Sequence, residues 1–201
     1  MKYKAIGFDY GGVVYGEPGG VFMQKLADFL DVPKSELGKV YFEHNHKVNL
    51  LGVSMDDLWR SVASDMGKAE QVEDFVRFIN EVNAQKKVNQ DILELIKTLR
   101  EKGYKIGILS NYNTTLRERL DSQGITPLVD VIGSSEEMGY MKPQKEAFWM
   151  FCKMLSVEPS EFIFIDDTEK SLVTAHEVGY TPILFESYEK LENDLKQLGV
   201  L

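Results

Sequence analysis

Apolar positions along this chain follow two rhythms. Short continuous runs, "KAIGF" (4–8), "YKIGILS" (104–110), "FIFI" (162–165) and "TPILF" (181–185), predict strands buried on both faces. "VDVIG" (129–133) predicts a fifth. Between the later runs apolar residues recur at helical spacing, in "EAFWMFCKML" (146–155) and "LVTAHEVG" (172–179), the second closing on a stop glycine. Strand and helix alternate over short connections, which predicts an α/β chain with a parallel sheet flanked by helices.

Residues 16–88 break that rhythm. "GEPGG" (16–20) predicts a flexible linker, and helical patterns follow it with no strand among them. "VFMQKLADFL" (21–30) carries an apolar face, Pro33 interrupts, and the pattern resumes at Ser35. "SMDDLWRSVASDM" opens with Ser54 and Asp57 at capping spacing, although a full box prefers Glu or Gln in the second place. "VEDFVRFINEV" (72–82) is amphipathic, and "NQDILELIKTLREKGYKIGIL" leads a capped helix into the second strand. The expected division is a catalytic core of residues 1–15 and 89–201 with an all-helical insert at 16–88.

Composition narrows the classes of function. At 201 residues and 43% hydrophobic, the chain suits a globular fold of one domain, or one and a half. A net charge of −9 argues against nonspecific binding to nucleic acid or to anionic membrane surfaces, although a locally positive site remains compatible with it. Cys152 is the single cysteine, which excludes an internal disulfide and fits a reducing compartment. The start "MKYKAIGF" lacks the features of a signal peptide, and no apolar run approaches the roughly 20 residues that span a bilayer. A cytoplasmic location is the expectation.

Ligands of open parallel sheets bind outside the carboxyl ends of the strands. Here those ends carry Asp9, Ser110-Asn111 and Asp166-Asp167, while Lys142 lies in "GYMKPQ", just before a helix. Alone, an aspartate after an apolar strand is more often a turn or helix cap. Together the set offers a nucleophile, a hydroxyl, a cation and a carboxylate pair able to hold a metal. That suits phosphoryl transfer. A carboxylate can attack phosphorus and form an acyl-phosphate, provided the site cancels the repulsion between two anions. Magnesium prefers oxygen ligands, commonly one or two carboxylates plus substrate phosphate. Lysine, hydroxyl and backbone N–H groups would stabilise the other phosphoryl oxygens.

These motifs, in this order, resemble those of the haloacid dehalogenase superfamily over nearly the whole chain. "FDYGGVV" looks like the first motif, with Asp9 as nucleophile; "ILSN" like the second, with Ser110 as phosphate ligand. "GYMKP" resembles the third, with Lys142, and "FIDDTEKSLVTAHEVG" the fourth, with Asp166 and Asp167 at or near the metal. The resemblance implies a Rossmann-like core and a helical cap at 16–88 that helps to select the substrate. It also implies a Mg2+-dependent phosphatase acting on a small phosphorylated metabolite such as a sugar phosphate. Gly12, Tyr10 and Asn111 are expected to border the phosphate.

One position departs from the pattern. Phosphatases of the superfamily typically carry a second aspartate two residues after the nucleophile, as general acid and base, with its carbonyl on the metal. Here that residue is Gly11, which keeps the carbonyl and loses the acid. General acid–base help is worth about 10²- to 10⁴-fold. A D-x-G first motif, together with "LGVSMDDLW" (51–59), resembles the branch of the α-glucose-1-phosphate phosphatases. The alternatives are a 2-haloacid dehalogenase, whose halide leaves unprotonated, or a catalytically weak binding or regulatory protein. The paired aspartates count against a dehalogenase, which needs no metal. Glu43, His44 and His46 of "YFEHNHKVN" are candidate replacement proton donors, although an amphipathic helix with a solvated face also explains them.

Overall fold

The computed structural model describes residues 2–201, apart from the side chains of His46, Val48, Asn49 and Leu50. The chain divides into two compact units, Met1–Gly19 with Val88–Leu201, and Gly20–Lys87. β1 (Ala5–Phe8) opens the first unit. Four helices form the second: α1 (Val21–Leu30), α2 (Lys34–Leu51), α3 (Met55–Asp65) and α4 (Val72–Gln85). The chain then returns through α5 (Gln90–Glu101), β2 (Lys105–Ser110), α6 (Leu116–Ser122), β3 (Val131–Ser134) and α7 (Ser135–Met138). It continues with α8 (Lys145–Leu155), β4 (Phe162–Asp166), α9 (Glu169–Leu172), α10 (Ala175–Val178), β5 (Thr181–Leu184) and α11 (Tyr188–Gln197).

The strands form one parallel sheet in the order β3-β2-β1-β4-β5. Chain order reverses direction between β1 and β4, so the crevice at their carboxyl ends is the topological switch point. Each strand sends alternate residues to opposite faces, and helices bury both. On one face Ile6, Phe8, Ile106, Ile108, Ile163 and Ile165 share a core with α5, α6 and α11. On the other, Ala5, Leu109, Phe162 and Phe164 meet Phe148 and Phe151 of α8 and Val178 of α10. Each large apolar side chain buried this way contributes about 1.5–3 kcal/mol.

That second face depends on glycine. Gly7 and Gly107 are register partners on β1 and β2. A Cβ at Gly107 would lie 2.5 Å from Phe151 Cζ, and one at Gly7 would lie 2.6 Å from Phe162 Cζ. The phenyl rings rest directly on the backbone there.

The four-helix unit has its own core. Trp59 of α3 is packed among Leu26, Leu30, Leu37, Val62, Phe75 and Ile79, with Phe29 and Phe78 stacked at 4.6 Å. Ser54 accepts a hydrogen bond from Asp57 N at 3.1 Å, as the capping spacing predicts. Asp57 is one methylene shorter than Glu; its carboxylate accepts from Ser54 Oγ instead, at 2.7 Å. Asn89 Oδ1 likewise caps α5 by accepting from Ile92 N.

The segment 172–179 departs from the expected single helix. Leu172 closes α9 and Ala175–Val178 forms α10, with a break at Val173 and Thr174 between them. Both residues are β-branched and poor helix formers, and Thr174 Oγ1 donates to Pro143 O at 2.8 Å. No helix of the described residues is long and apolar enough to cross a membrane.

Candidate active site

Asp9 follows β1 directly, and its N–H donates to Ile165 O of β4 at 2.8 Å. Asp166 ends β4 and Asp167 follows it. One carboxylate oxygen from each of these three residues lies within 4.8 Å of the others. Lys142 enters from the α7–α8 loop with only 4% of its surface exposed. Its Nζ stands 2.5 Å from Asp166 Oδ2 and 2.8 Å from Asp9 Oδ1. With Asp9 the contact is an ion pair without hydrogen-bond alignment, so the buried Asp9 Oδ1 has no hydrogen-bond partner among the described residues.

The electrostatics follow from that crowding. Burial pushes the Asp9 carboxyl up to about 7; Lys142 opposes the shift, while Asp166 and Asp167 add to it. Burial, with Asp166 beside it, pushes Asp167 up to about 6. Burial alone would lower the Lys142 ammonium, but Asp166 and Asp9 outweigh it and hold the group above its ordinary value. Three carboxylates face one ammonium, so the fully ionised cluster is short of positive charge. Hard oxygen donors converging from three carboxylates, and a surplus of anions over the one ammonium, fit a magnesium-sized divalent cation.

The remaining predicted residues sort into those near this cluster and those committed elsewhere. Ser110 ends β2, next to β1, with 5% of its surface exposed. Gly12 has φ +79°, and a Cβ there would lie 2.2 Å from Asp167 Oδ2. Both features require glycine, because another residue would pay left-handed strain and collide with the acid. Gly11 differs: its φ lies outside the left-handed range, and a Cβ would meet nothing within 4 Å. Both polar ends of the Asn111 side chain bind the Lys142 main chain: Nδ2 donates to Lys142 O at 2.9 Å, and Oδ1 accepts from Lys142 N at 2.7 Å.

Tyr10 departs from its expected place beside the phosphate. Its side chain is buried, stacked on Tyr15 and edge-on to Tyr112; its hydroxyl donates to Gln123 Oε1 and accepts from Arg119 Nε. Successive residues of an extended chain point to opposite sides, so a tyrosine directly after Asp9 turns into the α5–α6 core. Within the helical unit, Glu43 is exposed. His44 Nε2 is 2.7 Å from Asp65 Oδ2, and Lys47 Nζ lies 3.1 Å from His44 Nδ1. The His46 side chain lies outside the described residues.

Two contacts escaped sequence reading. Gly19 N, in the presumed flexible linker, donates to Asp167 Oδ2 at 3.1 Å. Thr168 N donates to Asp166 Oδ1 at 2.8 Å, turning the chain as it leaves β4. The glycine-rich linker was a usable signal for the first; the second is an Asx turn, which an aspartate at a strand end signals locally. Cys152, the one thiol, is buried in the α8 core with its pKa pushed up to about 12, which leaves it inert as a nucleophile.

The model of the haloacid dehalogenase-like hydrolase family matches residues 31–185. The ribulose-1,5-bisphosphate 5-phosphatase of Halopiger xanaduensis is 33% identical over 102 residues, 50% of this chain and 43% of that protein. The glyceraldehyde 3-phosphate phosphatase of Methanocaldococcus jannaschii is 33% identical over 106 residues, 49% of this chain and 46% of that protein. The matched segments thus span less than half the length of these relatives. Among solved structures, an enzyme of the haloacid dehalogenase family from Bacteroides thetaiotaomicron, in complex with magnesium and inorganic phosphate, superposes with a TM-score of 0.61. It is 20% identical, and the match covers 94% of this chain and 98% of that one. The sequence motifs, the sheet and the family match agree: this chain belongs to the haloacid dehalogenase-like hydrolases.

Proposed function

We propose that this protein is a magnesium-dependent phosphatase of small phosphorylated metabolites and works through an aspartyl-phosphate at Asp9. The observation that carries this reading is the convergence of Asp9, Asp166 and Asp167 around the buried Lys142. Phosphatase relatives and the magnesium and phosphate held by a protein of the same fold support it.

In this mechanism an Asp9 carboxylate oxygen attacks phosphorus, and the bond from phosphorus to the ester oxygen breaks. Water then attacks the aspartyl-phosphate, releasing inorganic phosphate and restoring Asp9. Lys142 opposes the upward shift of the Asp9 carboxyl and offers positive charge to the phosphoryl oxygens, with Ser110 as a hydroxyl donor. Asp9, Asp166, Asp167 and the Gly11 carbonyl would hold magnesium, which when bound supplies the positive charge this acidic cluster lacks. No carboxylate at position 11 protonates the leaving oxygen, so the proton comes from water or from the helical unit, with Glu43, His44 and His46 the candidates. Good leaving groups, such as the anomeric phosphates of sugars, fit that deficit. The helical unit 20–87 acts as the cap that selects among them.

The test is hydrolysis of an aryl phosphate with and without magnesium. The parent protein turns it over with magnesium, EDTA stops the reaction, and Asp9→Asn lowers kcat by at least 10³-fold without unfolding. Full activity in Asp9→Asn removes the nucleophile assignment. Halide release from 2-haloacids in EDTA, without phosphatase activity, would instead establish the dehalogenase reading.

A further inference from the structure

The loop that delivers Lys142 to the carboxylates is not part of the sheet. It runs between Gly139, which ends α7, and Gln144, which precedes α8. Side chains hold it. Asn111, just beyond β2, binds both main-chain polar groups of Lys142 through its carboxamide, at 2.7 and 2.9 Å. This reproduces with a side chain the paired exchange of N–H and C=O that an adjacent strand would make. Thr174 Oγ1 holds the next carbonyl, that of Pro143, and Gln144 Oε1 accepts from Met141 N at 2.7 Å. Among the described residues, Asn111 alone links the Lys142 main chain to the strand-end that carries Ser110.

We infer that Asn111 is a positioning residue: its carboxamide fixes the Lys142 backbone, and through it places the ammonium between Asp9 and Asp166. The inference rests on the phosphatase reading for its catalytic consequence, but the tie itself does not. A lysine side chain has several rotatable bonds, so its Nζ is placed only as well as its backbone is held, and a displacement near 1 Å costs on the order of 10²-fold in rate. Oδ1 and one Nδ2 hydrogen are engaged with the loop, while the second Nδ2 hydrogen stays available, so kcat and KM must be read separately.

Two measurements on Asn111→Ala and Asn111→Asp decide it. Asp keeps the shape and an acceptor for Lys142 N–H but loses the donor to Lys142 O. Hydrogen exchange at the Lys142 amide, followed by NMR in EDTA, is expected to quicken at least 10-fold in Asn111→Ala and less in Asn111→Asp. Hydrolysis of p-nitrophenyl phosphate with magnesium is expected to show a 10- to 100-fold lower kcat in Asn111→Ala, with KM within about threefold and an unchanged melting temperature. Unchanged exchange in both variants overturns the tie. Faster exchange with unchanged kcat overturns the positioning role, and a rise in KM at constant kcat makes Asn111 a substrate ligand instead. If Asn111→Ala does not fold, Asn111→Asp carries the same comparison. A parent protein without phosphatase activity fails the functional reading, while the exchange result still decides whether Asn111 holds the loop.

Discussion

At the scale of single residues, the two glycines after Asp9 do different work. Gly12 is locked by its positive φ and by Asp167 against it; Gly11 is locked by neither. Position 11 therefore has room for the carboxylate it lacks. Gly11→Asp is expected to fold normally and to narrow the rate gap between aryl phosphates and phosphates of simple alcohols, by 10-fold or more if it restores a general acid. Comparing kcat across a leaving-group series in both proteins checks this. A parent protein with no leaving-group dependence, chemistry being rate-limiting, would show that a proton donor is already in place. The meeting of Asp9 with Asp166 and Asp167 was legible because strand ends mark a sheet's binding edge. The committed partners of Tyr10 and Asn111 were not, because their contacts join residues 31 to 113 positions apart.

At the scale of elements, the strands were legible because a sheet buried on both faces writes continuous apolar runs. What those runs could not show is how closely α8 approaches. Gly107 reads in sequence as a weak strand residue, yet its missing Cβ makes the space that Phe151 occupies. Gly107→Ala is expected to destabilise the protein by about 1–3 kcal/mol through overpacking. Gly38→Ala, inside α2 with nothing within 4 Å of a new Cβ, should instead stabilise by about 0.5–1 kcal/mol. Urea melts of the two variants check the opposite signs. The split between α9 and α10 was hidden for a related reason: the apolar spacing continues through it, while the hydroxyl contact that breaks the helix lies with Pro143, in another part of the chain.

At the scale of the whole molecule, the site works against stability until its charge is balanced. Burial and the crowding of acids push Asp9 up to about 7 and Asp167 up to about 6 in the folded chain, above the ordinary 3.8. Between about pH 4 and 7 the native state therefore holds protons that the unfolded chain has released. This contribution to stability is full below pH 4 and lost as pH rises through the folded values. In EDTA, Asp9→Asn is expected to be more stable than the parent at pH 8, by on the order of 1–2 kcal/mol, with the difference shrinking toward pH 5. Denaturant melts at the two pH values check it. Magnesium should stabilise the parent at pH 8 more than it does the variant. A parent protein more stable than Asp9→Asn at pH 8 in EDTA would mean that the Lys142 ion pair outweighs the burial cost.

The contact between Gly12 and Asp167 also bears on how such a chain can change over generations. The two positions are 155 apart in sequence yet compete for one small volume. A side chain can enter at 12 only after the acid at 167 has been shortened or turned away, and that earlier step already disturbs the acidic cluster. The mutational route is thus ordered, and its first step is the harmful one. Such a route couples the two positions, so substitutions at 12 and 167 are expected to be non-additive in stability.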